Sequence, residues 1–494
     1  MPRRLDWTLL ALLFCGGLLF RLFFLVATGF DGLYGQDAYA YYDFAGSLQT
    51  LLSTGQPLPP FFWPLGYSAL LASGFALFGA SAAVGQAMSV IMSAGLAPLV
   101  YIMARQMQSG IGGAFVAGLL MAVCGQAIQS SLVLMADIPA LFWALLSGVL
   151  LLSHLSRQPL HRNKTLHLIG AVICLMLAVI TRWLYLGLIP VWGAALLLNR
   201  GTRRREWLSA GVAGILVLLP QLALSVTSPY PTFSHAWVQG WSPGNAFQHE
   251  FTNVDGHFSY EQVNALFYAQ PVYDAYYLSP LFTPLIVIGL WAEFRRRRFV
   301  AVVLLGGWIL LPYLFLAGIP YQNIRFPLII SPPVALLAGI GLENAVHWLS
   351  ERVPHRILAY SGAVLLVIAG AGQMVSTSAP IISTFITNQQ ADKTVITRVA
   401  ARLPAEATVY TFGLTLALSH YTDFQVYELY YETPDTLAQK WQPGQTDYLL
   451  VDPWNINSQW AGREPQTAMQ WFENQRGLTQ IGQYSHYVLY RIGE

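Results

Sequence analysis

Long apolar runs alternate with short polar breaks through the first three quarters of the chain, and from about residue 378 the pattern changes to mixed polar sequence with short apolar blocks. The runs close to the ~20 residues a helix needs to cross a bilayer are 9–28, 84–104, 111–131, 137–154, 166–181, 183–199, 207–226, 278–294, 299–317, 326–349 and 356–376. A further stretch, Trp63 to Gly79, is apolar but short and carries Pro64, Gly66, Gly74 and Gly79, so it is read as a juxtamembrane or re-entrant segment. The expected fold is an α-helical polytopic membrane domain over residues 1–377, with about eleven spans plus juxtamembrane helices, and an extracytoplasmic α/β domain over 378–494. Within the latter, Asp392 to Leu403 has helical periodicity, whereas Thr408 to Phe412, Tyr448 to Asp452 and Tyr487 to Arg491 read as buried strands.

Composition agrees with the pattern. Charged residues are 10% of the 494 positions, against roughly 25% in ordinary globular domains, and the net charge of +2 gives no case for nucleic acid. Cys15, Cys124 and Cys174 all fall inside apolar runs, which disfavours a disulfide framework or a thiolate metal site. The run Leu9 to Thr28 follows Arg3 and Arg4 but is long enough to span, and it reads as a retained anchor rather than a cleaved signal.

Lys and Arg cluster at Arg3 and Arg4, Arg105, Arg157 to Lys164, Arg200 to Arg205, Arg295 to Arg298 and Arg352 to Arg356. The positive-inside rule assigns all of them to the cytoplasm. Three outer regions follow: a first loop at about 29–82, a second at about 227–277, and the C-terminal domain. The only sequon, Asn163-Lys164-Thr165, falls on a cytoplasmic loop, so the expected setting is a prokaryotic plasma membrane with the N-terminus inside and the C-terminal domain outside.

Candidate chemistry crowds the outer ends. Asp37 lies just past the first span, and Asp37, Tyr41 and Ala45 recur at i, i+4 and i+8, which sets acid and phenol on one helical face. Asp137 sits before Pro139, a sequence that also suits a helix cap. Outside the basic loops and the C-terminal domain only Arg21, Arg182 and Arg325 remain. Arg325 stands in Tyr321-Gln322-Asn323-Ile324-Arg325-Phe326, where Tyr321, Asn323 and Arg325 are candidate binding residues as the chain re-enters the membrane. A guanidinium there can pair with a phosphate in the headgroup layer, or simply reach out to water, which is the expectation for Arg21. In the second loop His235, His249, Glu250, Asp255 and His257 match no compact metal pattern. Trp237, Trp241, Tyr260, Tyr268, Tyr273, Tyr276 and Tyr277 read as an interfacial aromatic belt.

Asp37-x-x-x-Tyr41-x-x-x-Ala45, the Pro64 to Gly66-Tyr67 approach, Asp137 near Pro139, Thr181-Arg182, and Ile324-Arg325-Phe326 before Pro332-Pro333 together resemble the GT-C glycosyltransferases. Within these the chain is similar to the group that includes protein O-mannosyltransferases and lipid A aminoarabinose transferases. The resemblance implies a polyprenyl-phosphate sugar donor, an extracytoplasmic glycan, lipid or protein acceptor, and inversion at the anomeric carbon. It implies Asp37 as general base, with Arg325 and Arg182 on the lipid phosphate. Many relatives carry an acidic pair where this chain has Asp37-Ala38, and others a Glu-Lys-Pro-Pro stretch where it reads Phe62-Trp63-Pro64-Leu65. Those departures argue against aminoarabinose transfer and leave metal use open; a divalent cation, magnesium or manganese, would take Asp37 with Asp137. The alternative is a transporter of lipid-linked saccharides, which would set ionisable groups along a path through the membrane.

Overall fold

The computed structural model describes residues 4–156, 164–199, 201–227, 236–440 and 446–493. Asn163, Arg200, His235 and the side chain of Trp237, all named above, lie outside the described residues. The chain begins α1 (Arg4–Thr28), α2 (Asp37–Thr54), α3 (Leu65–Phe78), α4 (Ala82–Gln106), α5 (Ile111–Ala122), α6 (Gly125–Ser131), α7 (Asp137–Leu155), α8 (Lys164–Thr181), α9 (Leu188–Asn199) and α10 (Arg204–Thr227). A loop region follows with three short helices, α11 (Ala236–Gln239), α12 (Asn264–Tyr268) and α13 (Gln270–Tyr273), around a hairpin of β1 (Glu250–Asn253) and β2 (Gly256–Ser259). Then come α14 (Thr283–Arg295), α15 (Phe299–Gly318), α16 (Ser331–Ser350) and α17 (Arg356–Ala400).

All eleven expected spans form helices, but not all are of spanning length. Among the described residues eight are long and apolar enough to cross a membrane, and α5 with α6 makes a ninth bent by 51°. The segments expected at 183–199 and 278–294 are shorter: a 3-10 turn leads into α9, and α14 starts only at Thr283, after Pro280, with Pro284 in its first turn. The 14 residues of α3 rise about 21 Å, well short of a ~30 Å hydrocarbon core. The core lies between α4, α5, α7, α8 and α16; α16 is buried from Ser331 to Leu342.

Arg21 corrects one expectation. It does not reach for water: it is fully buried in α1, where Nε donates to Ser93 Oγ (2.8 Å) and Nη1 to the carbonyls of Gly17 (2.9 Å) and Ala122 (3.3 Å). The break after α5 frees the carbonyls of its last turn, which need donors when buried. Arg21 supplies one at Ala122, and on the far side of the break the Gly125 amide finds the Tyr276 carbonyl at 2.8 Å.

The C-terminal domain is α/β, as expected, but it has no separate start at 378. Residue 377 lies inside α17, whose 45 residues extend roughly 68 Å, from the membrane segment into the soluble domain. After it come β3 (Thr408–Thr411), α18 (Thr415–Tyr421), β4 (Gln425–Glu428), α19 (Pro434–Lys440), β5 (Asp447–Val451), α20 (Pro453–Ser458), α21 (Glu464–Gln475), β6 (Leu478–Tyr484) and β7 (Tyr487–Ile492). The sheet order is β4-β3-β5-β7-β6, parallel across β4, β3 and β5 and antiparallel beyond. Alternating side chains divide its faces: Val409, Leu450 and Leu489 pack with α2, α17 and α18, while Tyr410, Leu449 and Ile492 pack with Phe472 of α21.

Asp447 opens the central strand β5 with its carboxyl buried and Oδ1 lacking a hydrogen bond. Burial pushes its pKa up to about 6, against a smaller lowering by Thr408. An acid raised in the folded state binds its proton more tightly there, so its destabilising effect grows as pH rises from the unfolded value near 4 through about 6. Asp447→Asn is expected to make the domain more stable at neutral pH, by ~1–3 kcal/mol, and to flatten that dependence. Thermal unfolding read by proteolysis of the domain at acid and neutral pH checks it; equal gains at both would assign the effect elsewhere.

Candidate active site

Three turns of backbone converge where α1, α7, α8 and α15 end or begin on the side of the C-terminal domain. In the first, Gly32 at φ +80° brings its carbonyl to the Leu134 amide (3.0 Å), and Gln86 Nε2 ties the carbonyls of Phe30 (3.0 Å) and Leu132 (2.7 Å). The loop that carries Asp37 is thus stitched to the turn that carries Asp137. In the second, a Cβ on Gly66 would stand 2.7 Å from the Ile180 carbonyl and from Thr181 Oγ1. Only glycine lets the start of α3 approach the end of α8 so closely, which fixes the backbone just before Arg182. The Gly66-Tyr67 pair has this physical reason.

The third turn, 319–325, is irregular backbone between α15 and the helical turn at Phe326–Ile330. Buried carbonyls without a helix need other donors. The second loop provides them: Asn264 Nδ2 to Ile319 (2.5 Å), Asn253 Nδ2 to Pro320 (3.0 Å), Tyr268 Oη to Tyr321 (2.7 Å), and Tyr277 Oη to Ile324. Tyr268, Tyr276 and Tyr277 are therefore not an interfacial belt; each is at most 2% exposed. Their rings read as a belt because composition alone cannot tell a wet phenol from one buried against a carbonyl.

These turns assemble a chain of alternating charge. Arg182 Nη1 lies 2.6 Å from Asp137 Oδ1, Asp137 Oδ2 is 3.8 Å from Arg325 Nη1, and Arg325 Nη2 is 3.5 Å from Asp37 Oδ2. Asn323 Oδ1 accepts from both the backbone N–H (3.0 Å) and Nε (3.3 Å) of Arg325, which fixes the fork's direction. The Arg182 guanidinium also sits over the Phe326 ring, 4.9 Å from its centroid. Burial pulls the Arg325 pKa down, but Tyr34, Asp137 and Asp37 more than reverse this, so it stays above its ordinary value and charged. Burial, reinforced by Asp37, raises the Tyr41 phenol and keeps it neutral.

Exposure separates the roles. The Asp37 carboxylate is 35% exposed, Arg182 19% and Arg325 15%, whereas Asp137 is 3%. Asp37, Tyr41, Arg182, Tyr321, Asn323 and Arg325 line one cavity of about 830 Å³. Asp137 lies behind the guanidinium groups and can act on a ligand only through them. It opens α7 without capping it, because its side chain is turned to Arg182. The same cavity is also lined by Leu184, Leu186, Leu224, Leu311 and Phe315, with Gln221 and Ser225 on either side of Leu224 in sequence. Phe62 and Trp63 form one flank, and Asp255, Phe258 and Gln459 come from the hairpin and the C-terminal domain. Gln459 carried no sequence signal; it reaches the cavity because its carbonyl accepts the His257 amide (2.7 Å) and its Nε2 donates to the Asp255 carbonyl (2.8 Å).

Among the described residues no three His, Cys, Asp or Glu side chains converge as a metal cluster. His249 bonds the Tyr260 carbonyl and His257 bonds Thr252, each within the hairpin region. Asp37 and Asp137 both face Arg325, whose guanidinium lies within 3.8 Å of each. A divalent ion shared by these carboxylates would have to displace that guanidinium, so the pair as arranged does not fit a two-carboxylate cation site.

Residues 67–222 match the family model of dolichyl-phosphate-mannose-protein mannosyltransferase. Over nearly its full length the chain superposes on ArnT from Cupriavidus metallidurans bound to undecaprenyl phosphate, with TM-score 0.67 and 14% identity, covering 99% of this chain and 98% of that one. The oligosaccharyltransferase AglB from Archaeoglobus fulgidus, in complex with an inhibitory peptide and a dolichol-phosphate, superposes with TM-score 0.53 and 12% identity over 88% of this chain and 68% of that one. No curated protein sequence matches. The fold is therefore one shared with ArnT and, less closely, with AglB, and residues 67–222 carry the pattern of the mannosyltransferase family.

Proposed function

We propose that the chain transfers a sugar from a polyprenyl-phosphate donor to an extracytoplasmic hydroxyl acceptor on a glycan, lipid or protein, with inversion at the anomeric carbon. The observation that carries this reading is the amphipathic cavity. Its lining offers a carboxylate and two guanidinium groups together with many apolar side chains, which suits a ligand with a sugar phosphate at one end and an isoprenoid at the other.

Asp37 takes the proton of the acceptor hydroxyl, which is a poor nucleophile at its own pKa. The acceptor oxygen attacks the anomeric carbon as the bond from that carbon to the phosphate oxygen breaks. Arg325, with Arg182 beside it, receives the anionic polyprenyl phosphate by charge-assisted hydrogen bonds that strengthen as charge develops. Asp137 holds both guanidinium groups toward the cavity. No step runs through a metal ion. Phe62 and Trp63 line the wall where some relatives carry charges, which argues against an aminoarabinose donor.

The cavity faces outward in this account, because the basic loops then lie in the cytoplasm. Impermeant thiol labelling of a cysteine introduced at Ser81, in a chain without native cysteines, should occur from the outside. The transporter reading finds little support among the described residues. Asp6, Glu293 and Glu343 are paired near the opposite end, and the buried Arg21 is occupied at the helix break, so no ladder of ionisable groups crosses between the ends.

The experiment is consumption of undecaprenyl-phosphoryl mannose by the full chain in membrane vesicles that retain endogenous acceptors. Release of undecaprenyl phosphate with an inverted sugar linkage is expected. Donor bound but not consumed, or a retained linkage, would contradict the reading.

A further inference from the structure

The C-terminal domain holds the loop that carries Asp37. Gln36, the residue before it, has its side-chain amide gripped at both ends: Oε1 accepts the Leu416 amide (3.2 Å), and Nε2 donates to Glu428 Oε2 (3.1 Å). The hydroxyl of Thr415 donates to the same Glu428 oxygen (2.5 Å). Leu416 offers only a donor, so the amide cannot flip without losing that bond. Ala38 and Tyr39, on the other side of Asp37, are buried against Val395, Val399 and Leu418. Further back, Asp31 Oδ2 receives Lys393 Nζ (2.6 Å) and Tyr421 Oη (2.9 Å), and Gln390 Nε2 donates to the Thr28 carbonyl (2.9 Å).

The segment before α2 is tied to the membrane domain at Phe30 and Gly32, but the residues from Gly32 to α2 have little rigidity of their own. Gly29, Gly32 and Gly35 all stand at positive φ, backbone that glycine enters freely, and α2 begins without a side-chain cap. What sets the direction of its first turn is the grip on Gln36 and the burial of Ala38 and Tyr39. One face of that turn meets the C-terminal domain while Asp37 and Tyr41 face the cavity.

We propose that Glu428, acting through Gln36, is a positioning residue for Asp37, so that the C-terminal domain is part of the catalytic apparatus and sets the angle of its carboxylate. The proposal rests on Asp37 as the base. Glu428 does not line the cavity, and it acts by direction of a hydrogen bond, not by contact with substrate.

The polarity of that bond gives a specific test. The Tyr430 amide donates to the other oxygen, Oε1 (3.5 Å), and cannot reverse. The amide of Glu428→Gln therefore keeps its oxygen there and turns its NH2 to the Oε2 position. There the Thr415 hydroxyl can rotate to accept, but Gln36 Nε2 meets a second donor and its bond breaks. Combining it with Gln36→Glu restores the set with donor and acceptor exchanged, since a carboxylate at 36 accepts from Leu416 and from the new amide. In the undecaprenyl-phosphoryl mannose assay, Glu428→Gln should lower kcat by about 10- to 100-fold, as expected for a misplaced catalytic group. KM for the donor should stay unchanged, and the double variant should recover most of the loss. Amide exchange at residues 38–42, which needs no substrate, should speed up in the single variant and return in the double one.

Wild-type kcat and exchange in Glu428→Gln, or a double variant no better than the single, would overturn the proposal. Asp37→Asn with undiminished turnover would instead remove the base assignment. In an Asp37→Asn background Glu428→Gln should add no further loss; full additivity would mean that Glu428 acts by another route.

Discussion

Asp37→Asn should lower kcat by roughly 10²- to 10⁴-fold, the range that removal of a general base commands, while the protein folds and inserts normally. The amide keeps the shape of the side chain and its place at the start of α2, but it cannot take the acceptor proton. Its bond with Arg325 is long, 3.5 Å, and Arg325 keeps Asn323 and Asp137 as partners, so the phosphate end of the site should be preserved. KM for the donor should therefore stay within a few-fold while kcat falls. A loss confined to KM would place Asp37 among binding groups instead.

Arg325 should give the second large effect, and Arg325→Lys is the informative change. A lysine keeps the positive charge but not the planar fork that bonds Asn323 on one side and faces two carboxylates on the other. Loss of a charge-assisted hydrogen bond worth ~1.5–3 kcal/mol corresponds to a roughly ten-fold or larger rise in donor KM or fall in rate. Arg325→Ala should lose more, because Asp37 and one oxygen of Asp137 are then left without their partner. Donor titration of both variants in purified protein measures it. Wild-type donor dependence in both would move the phosphate to Arg182.

Much of the site was legible because its residues break a rule of their surroundings. Asp37, Asp137, Arg182 and Arg325 are charged where the chain is otherwise apolar, and all four meet within one network. Sequence did not reveal that Asp137 is screened from the cavity by the guanidinium groups, since burial depends on which turn packs in front. Arg21 obeys the same rule yet serves a helix break that hydropathy does not register: Ile111 to Ser131 carries no charge and only four polar side chains, Gln126, Gln129, Ser130 and Ser131, and the 51° bend follows from packing around Arg21 and Tyr276.

The soluble domain was read in outline. Its buried strands β3, β5 and β7 stood out as apolar blocks, whereas the edge strands β4 and β6 are half-exposed and polar enough to pass for loops. The boundary drawn at 377/378 follows a fall in hydropathy inside a helix that does not end there, because Gln389 to Thr397 continues in helix-compatible residues with Val395 and Ile396 buried. The contacts of Gln36, Asp255 and Gln459 join segments some 200 to 400 residues apart and left no local pattern.

The central claim is that the cavity between Asp37 and Arg325 receives a polyprenyl phosphate. Titration of undecaprenyl phosphate into the purified chain, followed by fluorescence of the cavity tryptophans Trp63 and Trp183, tests it without knowledge of the sugar or the acceptor. The account predicts saturable binding that Arg325→Ala weakens about ten-fold or more and that Asp37→Asn leaves intact. Absence of saturable binding, or binding indifferent to Arg325→Ala and to Arg182→Ala alike, would contradict it.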